Sequence, residues 1–200
     1  MKRLATPLLA LFCLTAQADE GAWQKSYVLE AAGKYADAEG VLNALANGPD
    51  ADFALMRSGW LAYRDGSYNE AVTHYQRALE RNPKSLEARN GITLPLLAQQ
   101  RWREAAMYAR QTIAESAWDY TAHVRLLVAE EGLRDWRGMA EHAKHLAERY
   151  PADATAWVYL ARAQAWLGNV REAGNAYRRV LARYPGQAEA AAYLAKNGAG

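Results

Sequence analysis

The sequence predicts an all-α protein built as a solenoid of about five helix-turn-helix repeats, followed by a short C-terminal capping helix. Three observations lead to this fold class. The composition, 51% hydrophobic and 23% charged, suits a packed core and excludes a disordered tail, a collagen-like fibre and a disulfide scaffold. Abundant Ala with few β-branched residues favours closely packed helices over sheet. Similar residues also recur every 34 positions, as expected for a repeat array.

The N-terminus carries the features of a leader for export. Lys2-Arg3 is a short basic start, residues 4–15 are mostly apolar and uncharged, and Ala16-Gln17-Ala18 supplies the small-x-small pattern of a cleavage site. The apolar run is too short to span a bilayer as a helix. We therefore expect a periplasmic protein with residues 1–18 removed after Ala18, Asp19 as its first residue, and no membrane span in the mature chain.

Removal of this leader changes what charge and cysteine content imply. The full chain carries a net charge of +2, and both excess cations, Lys2 and Arg3, leave with the leader. A basic charge balance therefore gives no reason to expect nucleic acid as a partner. The single cysteine, Cys13, also leaves, and Phe12 stands where a lipoprotein signal would have a small residue. Soluble export without disulfides is the preferred interpretation.

Repeats are predicted over residues 19–51, 52–85, 86–119, 120–153 and 154–187, with the cap over 188–196. One column of the repeat holds large residues, namely Tyr35, Tyr68, Trp102, Trp136 and Val170. Three residues later a second column holds Ala38, Ala71, Ala105, Met139 and Ala173. Turn-forming glycines lie in the middle of three units, at Gly33, Gly66 and Gly168. Prolines, which cannot continue a helix, close three units at Pro83, Pro151 and Pro185.

These columns resemble the tetratricopeptide repeat family. The best copy runs from Asp52 to Pro83 and has all the expected residues, namely Gly59, Gly66, Tyr68, Ala71, Tyr75, Ala78 and Pro83. The third and fourth repeats depart from the pattern at Ala109, Ala117, Leu127 and Met139. The resemblance implies a right-handed α-solenoid that serves as a scaffold for protein–protein interaction rather than as an enzyme.

The resemblance also implies where a partner would bind. In this family the first helix of each repeat lines a concave groove that holds a segment of the partner. The groove slots of the first three repeats fall on Trp23, Tyr27, Phe53, Met56, Trp60, Tyr63, Arg64, Asn90 and Leu94. Corresponding slots later in the chain fall on Val124, Val128, Arg162 and Trp166. An aromatic stripe at helical spacing also suits a core, so the sequence leaves open whether these side chains bind or pack.

A second candidate surface is a stripe of arginines. Arg103, Arg137 and Arg171 occupy the same slot of three consecutive repeats, which would place them along one rim near an anionic partner. Glu104 and Glu172 follow two of these arginines directly. Ordinary solvation of the turns is therefore the alternative explanation.

The sequence predicts neither a catalytic residue nor a cofactor. It contains no nucleophile-elbow pattern and no Gly-rich phosphate loop. His142 and His145 share a helix face, but two ligands specify little, and no metal site is expected. The predicted function is a scaffold or adaptor of the cell envelope, binding a protein or peptide segment within an assembly or export complex. A glycan-binding module in polysaccharide export and a metal-dependent enzyme around His142 and His145 remain as alternatives.

Overall fold

A computed structural model describes residues 20–45 and 47–197. The predicted leader, its cleavage site and Cys13 lie outside the described residues, so export stays a prediction. The described ranges are helical and contain no strand. The helices are α1 (20–31), α2 (Tyr35–Gly40), α3 (Ala51–Asp65), α4 (Tyr68–Arg81), α5 (Leu86–Ala98), α6 (Trp102–Glu115), α7 (Tyr120–Leu133), α8 (Trp136–Arg149), α9 (Ala154–Trp166), α10 (Val170–Arg183) and α11 (Ala188–Asn197).

The all-α repeat architecture predicted from the 34-residue period is confirmed. The first helices of the later repeats begin at Leu86, Tyr120 and Ala154, each at the residue where a repeat was expected to start. The residue in front of each helix is a capping residue whose side chain accepts a hydrogen bond from the first turn, namely Ser85, Asp119 and Asp153. Such caps satisfy otherwise unpaired N–H groups. The period of the sequence is therefore the period of the helix starts.

The first repeat departs from the expected pair of regular helices. Its second helix, α2, ends at Gly40 after six residues, and a 3-10 segment follows over Val41–Leu45. Glycine inside a helix costs roughly 1 kcal/mol relative to alanine, so Gly40 weakens the helix at the point where it ends. Leu42 and Leu45 nevertheless reach the core, so the segment still covers α3.

The turn between the helices of each repeat places one residue in the left-handed region. This residue is glycine at Gly33, Gly66 and Gly168, where φ is between 73° and 86°. The equivalent positions of the third and fourth repeats are Gln100 and Arg134, both with φ of 58°. A side chain is strained in this conformation. The turn geometry is thus kept even where the residue is not glycine.

The chain folds into two compact units, unit 1 ending at Gln99 and unit 2 beginning at Gln100. In unit 1, α3 packs against α2, α4 and α5. In unit 2, each helix from α6 to α11 packs against the next. The core of unit 2 is dominated by alanine, with Leu127, Met139, Leu146 and Val180 among its larger members.

Large and small residues compensate for each other at the helix contacts. In unit 1, Tyr75 of α4 lies between Gly59 of α3 and Gly91 of α5, and a β-carbon at either glycine would come within 3 Å of its ring. In unit 2 the position equivalent to Tyr75 holds the small Ala143, and the position equivalent to Gly59 holds the large Leu127. Both are fully buried in one cluster. Leu127 departs from the repeat pattern, but together with Ala143 it keeps the packed volume similar.

Candidate functional site

A pocket of about 240 Å³ lies on the first-helix face of unit 1. Its walls come from α1, α3, α4 and α5, and its lining residues are Tyr27, Phe53, Met56, Arg57, Trp60, Tyr75, Glu87 and Gly91. Four of these, Tyr27, Phe53, Met56 and Trp60, are among the groove residues predicted from the sequence. Pockets for small-molecule ligands usually exceed about 300 Å³, so this one suits a single large side chain.

The pocket is held together by a buried arginine that the sequence reasoning missed. Arg57, only 7% exposed, donates from Nε to Ser26 Oγ at 3.0 Å and from Nη2 to Glu30 Oε2 at 2.9 Å. Its guanidinium carbon lies 3.6 Å from the centre of the Tyr27 ring, within cation–π distance. Spacing could have revealed Arg57, because it stands four residues after Phe53 on the same helix face.

Glu30 ties this arginine to the pocket wall. Its Oε1 accepts a hydrogen bond of 2.7 Å from Trp60 Nε1, while Oε2 accepts from Arg57. Burial by itself would raise the pKa of the Glu30 carboxyl, but the bonds from Trp60 and Arg57 together hold that pKa below its usual value. The carboxylate is therefore charged at neutral pH, and its network orients the Trp60 ring in the pocket.

The other predicted groove residues of unit 1 surround this pocket or lie apart from it. Trp23 and Phe53 have ring centres 5.0 Å apart, while Tyr63 packs near Trp60 at 5.8 Å. Arg64 donates to the Tyr35 hydroxyl at 2.6 Å. Two further residues, Asn90 and Leu94, are half-buried on α5 and are not pocket residues. The predicted aromatic residues of the groove thus lie together at or beside the pocket, whereas the predicted α5 residues, Asn90 and Leu94, do not line it.

In unit 2 the equivalent first-helix slots form no aromatic pocket. Val124 and Val128 are half-buried. Arg162 pairs with Glu189 at 2.7 Å and with Glu131 at 3.3 Å, which fastens the C-terminal helix α11 to α9. The hydrogen bond to Glu189 raises the pKa of the Arg162 guanidinium. Arg162 therefore serves the fold of unit 2.

Two of the three predicted stripe arginines have no ion pair with any described residue. Arg103 and Arg137 are exposed and unpaired. Arg171 lies 3.3 Å from Glu172, and Arg101 pairs with Glu104 at 2.6 Å. The stripe is therefore partly neutralised, but it keeps free cations at the turns of the third and fourth repeats.

The histidines of unit 2 form a buried hydrogen-bond chain rather than an open site. His123 Nδ1 lies 2.8 Å from His142 Nε2, and His142 Nδ1 lies 2.9 Å from Glu130 Oε2. His123 Nε2 bonds to the Ala117 carbonyl at 3.0 Å. His145, by contrast, is exposed and does not join this chain. No group of three or more metal-binding side chains occurs within the residues described.

A larger cleft of about 750 Å³ borders α8, α9 and α10 in unit 2. Charged side chains of both signs dominate its walls, and its largest apolar residue, Trp157, already has the guanidinium groups of Arg179 and Arg183 within 6 Å of its ring. Binding sites usually combine apolar walls with a few convergent polar groups. The pocket of unit 1 has only two charged lining residues, Arg57 and Glu87, and is therefore the better candidate.

The fold and the pocket define a helical repeat protein with an aromatic-lined pocket on unit 1. Models of the tetratricopeptide repeat match residues 24–85, 56–121 and 155–186. The chain therefore belongs to the tetratricopeptide repeat family, as its sequence columns predicted. No helix in the described ranges is sufficiently long and apolar to cross a membrane.

Solved structures show the same fold at low sequence identity. A tetratricopeptide repeat protein from Parabacteroides merdae has a TM-score of 0.80 at 18% identity, with 90% of this chain and 72% of that chain covered. MamA from Desulfovibrio magneticus RS-1 has a TM-score of 0.77 at 17% identity, with 86% and 97% covered. YrrB, described as having an unusual peptide-binding site, has a TM-score of 0.72 at 15% identity, with 88% and 90% covered. No curated protein matches the chain.

Proposed function

We propose that this protein is a periplasmic adaptor that holds a segment of a partner protein in the pocket of unit 1. An apolar or aromatic side chain of the partner inserts between Tyr27, Phe53, Met56 and Trp60. The adaptor serves an envelope assembly or export complex and carries out no catalysis. The scaffold role agrees with membership of the tetratricopeptide repeat family and with the peptide-binding site named for the structural neighbour YrrB.

One observation carries the proposal. The polar groups Arg57, Glu30 and the Trp60 N–H bond to one another, so the pocket wall consists mainly of rings and a thioether, with Glu87 as a further charged residue. Phe53 and Tyr27 are still 41% and 49% exposed. Exposed aromatic side chains next to a rigid pocket are typical anchors of protein interfaces. Burial of these rings by a partner would supply the binding free energy.

The glycan alternative draws on the same rings but has less support. Sugar recognition needs polar side chains that bond to hydroxyl groups, in addition to a ring face. Arg57, Glu30 and the Trp60 N–H are already engaged with one another, which leaves Glu87 as the charged side chain of the pocket that could bond to a sugar hydroxyl. The metal-enzyme alternative has no assembled ligand set, because His145 lies apart from His142 and its partners.

Binding to arrayed peptides and to envelope glycans tests the proposal. Phe53→Ala should weaken binding of the selected peptides by about 2 kcal/mol, typical for loss of an aromatic anchor, while the melting temperature hardly changes. Tyr184→Ala is the matched control, since Tyr184 is an exposed aromatic residue of unit 2. Equal loss of binding in both variants, or selection of glycans alone, would contradict the proposal.

Trp60→Ala has a different expected outcome from Phe53→Ala. Trp60 is half-buried, packs against the core cluster around Leu42 and Leu61, and bonds to Glu30. We expect its removal to lower both stability and affinity. Loss of stability with unchanged affinity per folded molecule would assign Trp60 to the core alone.

The proposed location has its own test. N-terminal sequencing of the protein recovered from the periplasm should begin at Asp19. A chain that still begins at Met1 would contradict export with cleavage after Ala18, while leaving the pocket of unit 1 unaffected.

A further inference from the structure

A row of exposed or half-buried apolar side chains follows the turns between the paired helices of unit 2. We call this row the turn rim, and it consists of Trp102, Leu133, Trp136, Trp166, Leu167 and Val170. Four of these residues, Leu133, Trp166, Leu167 and Val170, are between 37% and 67% exposed. A surface on which large apolar residues gather is a candidate for contact with another molecule.

The packing of the rim explains why one tryptophan protrudes. Trp102 lies directly against Gly132, where a β-carbon would come 2.4 Å from the Trp102 ring. One repeat later, Trp166 occupies the slot of Gly132 and Trp136 occupies the slot of Trp102. The two indoles stack nearly parallel, with centres 5.0 Å apart and planes 3° apart. Because Trp136 already fills the space over α9, Trp166 is left 67% exposed.

Positive charge accompanies these apolar residues. Arg103, Arg134 and Arg137 follow Trp102, Leu133 and Trp136 in the chain and form no ion pair with any described residue. The acidic neighbours are engaged instead. Glu104 pairs with Arg101 and Glu172 with Arg171, while Asp135 accepts the backbone N–H of Gly138. Asp135 keeps its negative charge in that hydrogen bond and offsets one of the three unpaired arginines, so the net charge of the rim is positive.

The backbone at Arg134 adds to this arrangement. Its φ of 58° is left-handed, and the equivalent turn residue in the fifth repeat is Gly168. Arg134 forms no ion pair within the described chain, and the equivalent turn residue of the third repeat, Gln100, has the same φ of 58°. The turn conformation therefore does not require a cation at this position.

We propose that the turn rim docks onto a bilayer that contains anionic lipid. Trp and Leu side chains at turn tips suit the headgroup region, where tryptophan is enriched. Arginine side chains reach lipid phosphates while their stems lie along apolar surface. This role goes beyond the pocket of unit 1, because it uses another unit and another kind of partner.

A protein partner fits the rim less well. A stable protein interface takes roughly 800 Å² and 20–30 residues from each side, with its anchors enclosed in packed pockets. The rim is a row of turn tips, and beside Trp102 it borders a cleft of about 310 Å³. The most exposed anchor, Trp166, is not part of the lining of that cleft.

Co-sedimentation with vesicles tests the proposal. The chain from residue 19 onward contains every helix described and lacks the apolar leader, which would bind vesicles by itself. It should pellet with vesicles of phosphatidylglycerol and phosphatidylcholine, less so at high salt, and hardly with phosphatidylcholine alone. Replacing Arg103, Arg134 and Arg137 together by Gln should weaken binding about a hundredfold. Trp166→Ala should weaken it about tenfold, as expected for loss of buried apolar area.

A charge-matched control separates the rim from net charge. Replacing Lys144, Arg178 and Lys196 by Gln removes three exposed cations elsewhere in unit 2 and should weaken binding much less. Circular dichroism of each variant confirms that the helices remain. No sedimentation with anionic vesicles, equal binding to phosphatidylcholine, or equal losses in the rim and control variants would each overturn the proposal. Binding of an acidic peptide at the rim without vesicle binding would also overturn it.

Discussion

Units 1 and 2 use the same repeat slots for different purposes. In unit 1, Tyr27 and Trp60 occupy equivalent first-helix positions and help to form one pocket. In unit 2 that position holds Val128 and Arg162, and Arg162 is committed to ion pairs with Glu131 and Glu189. The exposed indole of unit 2, Trp166, lies instead at a turn. Membership of the family therefore predicts where helices lie, but not which first helices supply aromatic residues to a pocket.

The two units also differ in how they bury polar groups. Unit 1 buries Arg57 beside its pocket and neutralises it with Glu30. Unit 2 buries Glu130, which is 4% exposed, at the end of a chain of two histidines. The polar network of unit 1 shapes a surface pocket, while that of unit 2 links α7 to α8 in the interior. Variants of these features test how independent the two units are.

The largest effect is expected from filling the glycine contact of unit 1. In Gly91→Ala the new β-carbon would lie 2.2 Å from the Tyr75 ring, so we expect unfolding to become easier by about 3 kcal/mol. Denaturant unfolding measures this change. Gly40→Ala is the control, because nothing lies within 4 Å of its β-carbon position. In a Tyr75→Ala background the cost should largely disappear; an unchanged cost there would contradict the packing argument.

A smaller loss is expected from breaking the ion pair of unit 1. Arg57→Met leaves Glu30 half-buried without its cation and should cost about 2 kcal/mol of unfolding free energy. The matched change in unit 2, Arg103→Met, removes an exposed and unpaired cation and should cost almost nothing. Thermal unfolding of both variants checks the contrast. Equal losses would show that the Arg57 network adds no stability beyond that of an exposed arginine.

The smallest effect is expected from a change of pH. The two units should lose stability in different pH ranges. Burial lowers the pKa of His123 below the usual value of 6.5. The hydrogen bond to the Ala117 carbonyl acts in the opposite direction, but burial outweighs it. The unfolded chain then binds more protons than the folded chain, so the stability of unit 2 falls as the pH drops below about 6.5. The groups around this histidine are His142, Glu130 and Asp119.

Hydrogen exchange followed helix by helix measures this pH dependence. Protection of α7 and α8 should weaken between pH 7 and 5.5. The helices of unit 1 should stay protected over this pH range. The pKa of Glu30 is lowered in the folded chain, so the stability that its carboxylate contributes is lost only below the usual carboxyl pKa of 4.5. His123→Asn should reduce the change in α7 and α8. Simultaneous weakening of both units would contradict the assignment to His123.

Much of the fold was predictable because the repeat acts through local rules. Capping residues at Ser85, Asp119 and Asp153 begin helices at a fixed interval, and Gly33, Gly66 and Gly168 allow the left-handed turn. These effects depend on residues close in the chain. The interrupted second helix of the first repeat was missed, although Gly40 stands within it.

The candidate site was predictable only in part. The repeat register placed Tyr27, Phe53, Met56 and Trp60 on one face, because equivalent slots of neighbouring first helices face the same way. It did not reveal that Glu30 bonds to both Arg57 and Trp60. That pairing depends on side-chain rotamers across two helices, which no spacing within one helix encodes.

By itself, the sequence determined the all-α class, the repeat period and the helix starts, because these follow from local capping, turns and side-chain volume. The tertiary structure decided which aromatic residues are held by neighbouring side chains and which are left exposed. Trp60 is held by Glu30, whereas Trp166 is left exposed because Trp136 occupies the space beneath it. The difference arises from contacts between repeats, where a residue's surroundings depend on what the neighbouring repeat places in the matching slot.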